Sequence, residues 1–406
     1  MLFELAFKNL FRNARRTLLL EISIVFGVIV IVFVGNFLHG MQRSWAQFEI
    51  NSNSGAFEIE HRDYKELRKA EPLKVSFERG DAVIAQVKAQ PGVKAAFGKL
   101  NFSGVVSNGN RSTAFAGTAV DVVGQRQTLP LQEDLIVAGR AISEKPGEIV
   151  LGSDLAAMLG LKIGDAVSVV VQTYHGSLNL QYGSLVGTKN GRHFPSSTYL
   201  EMSLPDAQKL LRVDDRISQI VVATNDYDAI PEVMAKTMRQ LQIERSDFVA
   251  RAYPELIPIY AMAIASFGTI TMVVGVVLFV LVGGGLSNAM AMAVMERTRE
   301  IGTVRALGMR KGQVRAMFLI EGGIVGVVGA VIGLLLVSLI TLYVVSRGGV
   351  HLPPVGGTSQ GLSIVPQFDL FSNVFGLLMP LAVGLLASWW PAAKSADLNP
   401  VDALRQ

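Results

Sequence analysis

Apolar side chains gather in four long runs, at 17–40, 257–287, 316–346 and 370–390, each with few or no charges inside. A bilayer core of about 30 Å takes roughly 20 helical residues to cross, so each run predicts a transmembrane helix. Arg12, Arg15 and Arg16 precede the first run and Ser44-Trp45-Ala46 follows it, a layout that imitates a secretory leader. Its apolar stretch of about 22 residues exceeds the roughly 7–15 of a leader's core, so the run is read as an anchor. The second and third runs, at about 30 residues each, exceed what the hydrocarbon requires and predict helices that project beyond the membrane on the domain side. Ahead of the first run, Leu2 to Arg12 carries apolar residues at 3, 6, 7, 10 and 11. That spacing predicts an amphipathic helix lying in the interface over 1–16.

Between the first two runs, 41–256 alternates strand-like and helix-like patterns. Ala56 to Glu60 predicts a strand, Asp81 to Ala89 a helix and Gly92 to Phe97 the start of a strand. Near the end, Ser218 to Ala223, Ile230 to Leu241 and Phe248 to Ala252 repeat strand, helix, strand. The two ends therefore predict one lobe of βαβ type from 41–115 and 216–256. An inserted β-rich lobe fills 116–215, where Glu148 to Gly152, Asp154 to Leu159 and Gly164 to Val170 read as strand, helix, then turn and strand. Thr173 to Pro195 is polar and rich in Gly, Ser, Asn and Tyr, which suits an exposed hairpin or loop, either solvated or in contact with a partner protein. The fold class that follows is a membrane protein of four transmembrane α-helices, with a large α+β extracytoplasmic domain inserted between helices 1 and 2.

Composition agrees: half of the 406 residues are apolar and 17% are charged, against about 25% in ordinary soluble domains. The net charge of +4 does not point to nucleic acid, because the cations flank apolar runs instead of forming a stripe. They set topology. Lys8, Arg12, Arg15 and Arg16 lie before the first run, Arg297, Arg299, Arg305, Arg310 and Lys311 lie between the second and third, and Lys394 and Arg405 lie in the tail 391–406. The loop 347–369 holds only Arg347. Both termini and the segment 288–315 are therefore expected in the cytoplasm, and 41–256 outside it. There is no cysteine, so the outer domain folds without disulfides; at about 215 residues it is long enough to do so.

Catalytic chemistry finds little support. No G-x-x-x-x-G-K-[ST] phosphate cradle occurs, His39, His61, His175, His193 and His351 lack ligand spacing, and no G-x-S-x-G elbow is present. No catalytic, cofactor or metal site is expected. Gly322, Gly326, Gly329 and Gly333 stack on one face of the third run, suited to close helix packing within the subunit or at a dimer interface. Glu21 and Glu321 sit about a turn inside their runs; structural pairing with a loop arginine and proton coupling are the two readings. From Glu296 to Gly308 the chain reads as a short helix with Ile301, Val304 and Leu307 on one side, charges of both signs, and Gly308 as its C-cap. It suits docking in a groove of a soluble partner or lying on lipid headgroups, the interleaved glutamates disfavouring an anionic surface.

Three separated motifs carry a resemblance. They are Leu5-Ala6-Phe7-Lys8-Asn9-Leu10 with Arg15-Arg16-Thr17-Leu18; Met295-Glu296-Arg297 through Glu300-Ile301-Gly302 to Arg305-Ala306-Leu307-Gly308, with Phe318-Leu319-Ile320-Glu321; and Trp390-Pro391-Ala392-Ala393-Lys394-Ser395-Ala396 with Asn399-Pro400-Val401-Asp402-Ala403-Leu404-Arg405. Over the whole chain the sequence resembles the FtsX-like, MacB-like permeases of ABC transporters, of type VII fold, and in size and layout the Lol-type lipoprotein-release permeases. The resemblance implies a permease dimer, of like or unlike subunits, in the inner membrane of a bacterium. It binds two copies of a separate cytoplasmic ATPase, which holds ATP and Mg, and works on membrane lipids with an adaptor or lipoprotein carrier outside. Mechanotransmission through long helices would move the outer domain. The ATPase contact would be Glu296, Arg297, Arg299, Glu300, Ile301, Gly302, Arg305, Leu307 and Gly308. Cargo is expected to be lipoprotein or lipid, although Asn36-Phe37-Leu38-His39-Gly40-Met41 departs from the Asn-Gly-Phe turn associated with Lol subunits. Tripartite efflux of drugs or peptides, or signalling to cell-wall hydrolases, is the alternative.

Overall fold

No glycine or proline acts as a helix stop between 17 and 54, and in the computed structural model the first apolar run continues without a break into α1 (Ala14–Glu49), followed by a π-helical turn at Ile50–Ser54. The structure describes residues 14–68, 71–190, 196–242, 246–352 and 362–396. The expected interfacial helix, the first half of the N-terminal motif and the Asn399 to Arg405 signature lie outside them, except for the start of α1. The first span was expected to end at 40 in a turn. Instead Asn36 to Met41 is helical, because Gly40 serves close approach: a Cβ there would collide with the Val365 carbonyl. Asn36 is an anchor, its carbonyl accepting from Gln367 N–H at 3.0 Å and its Oδ1 from Asp369 N–H and Asn373 Nδ2, each at 2.9 Å.

The outer domain follows as β1 (Phe57–His61), α2 (Tyr64–Leu67), α3 (Gly80–Lys88), β2 (Val93–Ser107), β3 (Ser112–Val120), α4 (Val122–Thr128), β4 (Ile136–Gly139), β5 (Glu148–Gly152), α5 (Ser153–Leu159), β6 (Ala166–Gln172), β7 (Leu178–Lys189), β8 (Tyr199–Ser203), α6 (Leu204–Leu211), β9 (Gln219–Thr224), α7 (Ile230–Gln242), β10 (Phe248–Ala252) and α8 (Tyr253–Leu256). Ten strands make one sheet in the order β10-β1-β9-β2-β3-β8-β5-β7-β4, with β6 bridging β2 and β7. One expectation changes here. The division at 116 and 215 into two lobes does not interrupt the sheet: β3 crosses 116, and the 15-residue β2 pairs with β9 over its first half and with β3 and β6 over its second. Of the two readings of the polar segment from Thr173, hairpin and loop, the hairpin holds: 173–177 is its tip, between β6 and β7. Residues 178–189 are β7, hydrogen-bonded to β4, β5 and β6; the face carrying Leu178, Leu180 and Tyr182 is solvated, which is why the segment reads as polar and irregular. Residues 191–195 lie outside the described chain.

The core of this domain follows from alternation: Val167, Val169 and Val171 on β6 point inward, and Phe97, Val120, Val150 and Val221 from four strands meet Val122, Leu129 and Ile142. By compactness the chain forms two units, one of 44–262 with 352–362 and one of the remaining segments; α1 and α9 (Pro258–Glu296) contribute to both.

The second unit contains most of α9, then α10 (Thr298–Ala306), α11 (Lys311–Ser346), the ribbon of β11 (Val350–Leu352) and β12 (Leu362–Ile364), and α12 (Leu370–Ala396). With α1, the long helices are the four among the described residues that are long and apolar enough to cross a membrane. α9 passes 287 by nine residues and α11 begins at 311, so both extend toward the α10 connection. Among the described residues of this unit, Ile24, Val28, Ile31 and Val32 of α1, Leu286 and Met290 of α9, Val325 and Val337 of α11, and Met379 and Val383 of α12 form the buried cluster. The glycine row is used within the chain. A Cβ at Gly322 or Gly326 would collide with Gly384 and Ser388 or with Pro380 on α12. At Gly329 it would lie 2.5 Å from Ile24 and at Gly333 2.7 Å from Val28, both on α1.

Gly326→Leu is expected to force α11 and α12 apart and lower stability by about 1–3 kcal/mol, read as a lower unfolding midpoint in detergent; Gly312→Leu, where a Cβ meets nothing, should leave it unchanged. In the outer domain, Arg140 and Ser143 donate to Glu148 and hold its carboxyl at about 2, below the ordinary 4.5. A depressed carboxylate contributes stability above its unfolded value and loses it as pH falls. The stability of the wild type relative to Glu148→Gln should therefore fall between pH 4.5 and 2 and be flat above, as measured by chemical unfolding.

Candidate functional site

The connection between α9 and α11 is built from an interruption. At Arg297 the backbone leaves the helical region, with φ −108° and ψ 15°, and its side chain turns inward. There Arg297 Nη1 lies 3.7 Å from Glu321 Oε2, both side chains 6% exposed. After nine residues α10 ends in a Schellman turn, with Gly308 N–H donating to Arg305 O at 3.0 Å and Met309 N–H to Val304 O at 3.2 Å. This closure needs a left-handed residue, and Gly308 supplies φ 105° without strain. Arg310 then caps α11, its N–H donating to Gln313 Oε1 at 2.9 Å.

The nine residues expected to form one contact surface divide. Arg297, Ile301 and Gly302 are buried, and Ile301 joins Val294, Val314, Phe318, Ala392 and Ala396 in a small core. They hold α10 in place. Arg305 is half-buried. Glu296, Arg299, Glu300, Leu307 and Gly308 are exposed. The expected apolar side of Ile301, Val304 and Leu307 also separates. Two steps of three residues rotate a side chain by about 120° around a helix, so Ile301 faces in while Val304 and Leu307 face out, the latter 83% exposed. α10 thus presents a leucine and a valine among Glu296, Arg299 and Glu300. That face is apolar at Val304 and Leu307 and charged around them.

Glu321 pairs with a loop arginine, whereas Glu21 Oε2 is buried beside Gly329 with no hydrogen-bond partner among the described residues. Among the described residues no cluster of His, Asp and Glu could hold a metal ion. A second feature escaped sequence reasoning. A cavity of about 680 Å³ lies among α1, α9 and α12, walled by Leu38, Phe267, Met272, Phe279, Phe371 and Phe375, with His39, Gln42, Asp369 and Ser372 giving it polar groups. Its walls come from three distant segments, and no local pattern marks them.

A family model described as FtsX-like permease C-terminal matches residues 259–400, and one described as MacB-like periplasmic core domain matches 17–240, over half of the chain. The chain belongs to the FtsX-like and MacB-like permeases. An uncharacterized ABC transporter permease of Methanocaldococcus jannaschii is 26% identical over 196 residues, 47% of this chain and 45% of that one. The macrolide export ATP-binding/permease protein MacB of Campylobacter jejuni is 30% identical over 135 residues, 33% of this chain and 19% of that one. The pyoverdine export ATP-binding/permease protein PvdT of Pseudomonas aeruginosa is 28% identical over 220 residues, 54% of this chain and 28% of that one. The matched part spans less than half the length of each of these relatives. The protein is a multi-pass permease of the MacB-like class, with a periplasmic-type α/β domain between its first and second membrane helices.

In this permease Arg297→Ala removes the cation beside a buried carboxylate, a change that costs about 3–5 kcal/mol. Unfolding titrations in bicelles should show that loss for Arg297→Ala and a smaller one for Arg297→Gln with Glu321→Gln.

Proposed function

We propose that this chain is the permease subunit of an ABC transporter whose separate ATPase, present in two copies and carrying ATP and Mg, docks on the outward face of α10. The exposure of Leu307 on a helix fixed from behind carries this reading: an apolar side chain held rigidly in water, ringed by charges, is the anatomy of an interface anchor. In this account both termini and α10 are cytoplasmic, two permease subunits assemble in a bacterial inner membrane, and closure of the ATPase is passed through α9 and α11 to the outer domain. The cargo is lipoprotein or lipid drawn from the outer leaflet, with a carrier or adaptor outside receiving it. The phenylalanine-walled cavity supports that choice, being apolar along most of its wall and polar where Asp369, Ser372 and Gln42 stand, as an acyl chain with its headgroup requires.

A second reading, export of a small molecule, is favoured by the names of the macrolide and pyoverdine relatives. The two differ in cells depleted of the protein. Lipoproteins stranded in the inner membrane support extraction; a normal distribution with retained small-molecule product supports export. For the docking claim, Leu307→Asp is expected to abolish co-purification of the ATPase while leaving the unfolding midpoint unchanged. Retention of the ATPase by that variant removes Leu307 as the anchor.

A further inference from the structure

The outer domain contains a second cavity of about 590 Å³, within the range of small-molecule sites. One wall is a face of the sheet on which polar side chains follow one another across adjacent strands. Arg251 Nε on β10 donates to Glu60 on β1; Gln219 Nε2 on β9 donates to Glu60 at 2.7 Å and to Glu58 at 2.6 Å; and Lys99 Nζ on β2 donates to Glu58 at 2.6 Å. Asn101, also on β2, accepts from Thr118 on β3 at 2.9 Å. Farther along, Lys189 of β7 donates to Glu201 of β8 at 2.9 Å. Burying such a row costs stability that an apolar face would not, so the sheet is shaped for more than rigidity.

The charges do not cancel. Lys99, Lys189 and Arg251 each touch a carboxylate. The side chains of Lys65 of α2 and Arg68 just after it, at the cavity wall, make no hydrogen bond or ion pair among the described residues, Arg68 being drawn only at longer range to Glu58, and among the same residues Arg251 pairs through its Nε alone. Glu58, Glu60 and Glu255 are the lining carboxylates, three against the five cations Lys65, Arg68, Lys99, Lys189 and Arg251. Two guanidinium forks and an ammonium offer more donors than the two oxygens of a carboxylate can take, and they match a dianion with three terminal oxygens.

We propose that this cavity binds a phosphate monoester, with Arg68, Lys65 and the terminal nitrogens of Arg251 on the phosphate and Asn53 facing the remainder of the molecule. The monoester comes either from a soluble phosphate ester or from the headgroup of phosphatidic acid. It is a site of the outer domain, separate from the membrane cavity, and does not depend on the cargo assigned above.

The test is calorimetric titration of the full chain in neutral maltoside micelles with glycerol 3-phosphate. Saturable binding is expected, weakened at least about tenfold by Arg68→Gln, whose exposed side chain makes no hydrogen bond or ion pair among the described residues and loses only a longer-range attraction to Glu58, so that its unfolding midpoint stays close to that of the wild type. Arg251→Lys, which keeps a cation beside Glu60 but removes the fork, should weaken it as well. Repeating the titration in phosphatidylcholine nanodiscs with added phosphatidic acid identifies the source: suppressed uptake means the lipid headgroup fills the site, unchanged uptake means a soluble ester does. Absence of saturable uptake in micelles, or equal affinity in wild type and Arg68→Gln, overturns the assignment.

Discussion

The membrane unit depends on the close approach of α11 to α12 and α1. Lipid supplies no hydrophobic drive between helices, so association there rests on van der Waals packing and on residues small enough to permit it. Gly322 and Gly326 admit α12, and Gly329 and Gly333 admit α1, from a single face of α11. Glu321 immediately precedes this row, so its position is set by the same packing. It holds Arg297, Arg297 marks the break between α9 and α10, and the break fixes which side of α10 is turned outward. The exposure of Leu307 is therefore a consequence of glycines several turns away.

The outer domain reaches its single sheet through β2, long enough to pair with β9 at one end and with β3 and β6 at the other. Apolar alternation supplies the core on one side, and the polar row from Arg251 to Lys189 occupies another face. Such a row tolerates few other arrangements, because every register slip would leave a buried charge without its partner.

Much of this was legible in sequence where the signal was local. The four apolar runs, the strand at Phe248 to Ala252 and the helix at Ile230 follow from periodicity. The left-handed turn at Gly308 follows from its place after a helical stretch. What escaped reading depended on contacts made at a distance. The first span was ended at 40 because the partner of Gly40, Val365, is remote in sequence. Whether the segment from Thr173 was a hairpin or a loop stayed open because half of the side chains of β7 face water. Pairing of Glu321 with a loop arginine was one of two readings, and nothing local picks Arg297 from the other loop arginines. The membrane cavity draws its walls from α1, α9 and α12, and the phosphate-type cavity from strands that are neighbours only in the sheet.

The central claim is that the outward face of α10 meets a nucleotide-driven partner. A photoreactive benzoylphenylalanine placed at 307 and irradiated in the native cell tests it most directly. The account predicts a covalent adduct with an ABC ATPase whose yield changes when ATP is depleted. Adducts with lipid alone, at the level given by the same probe at the apolar, exposed Leu339 of α11, would contradict it.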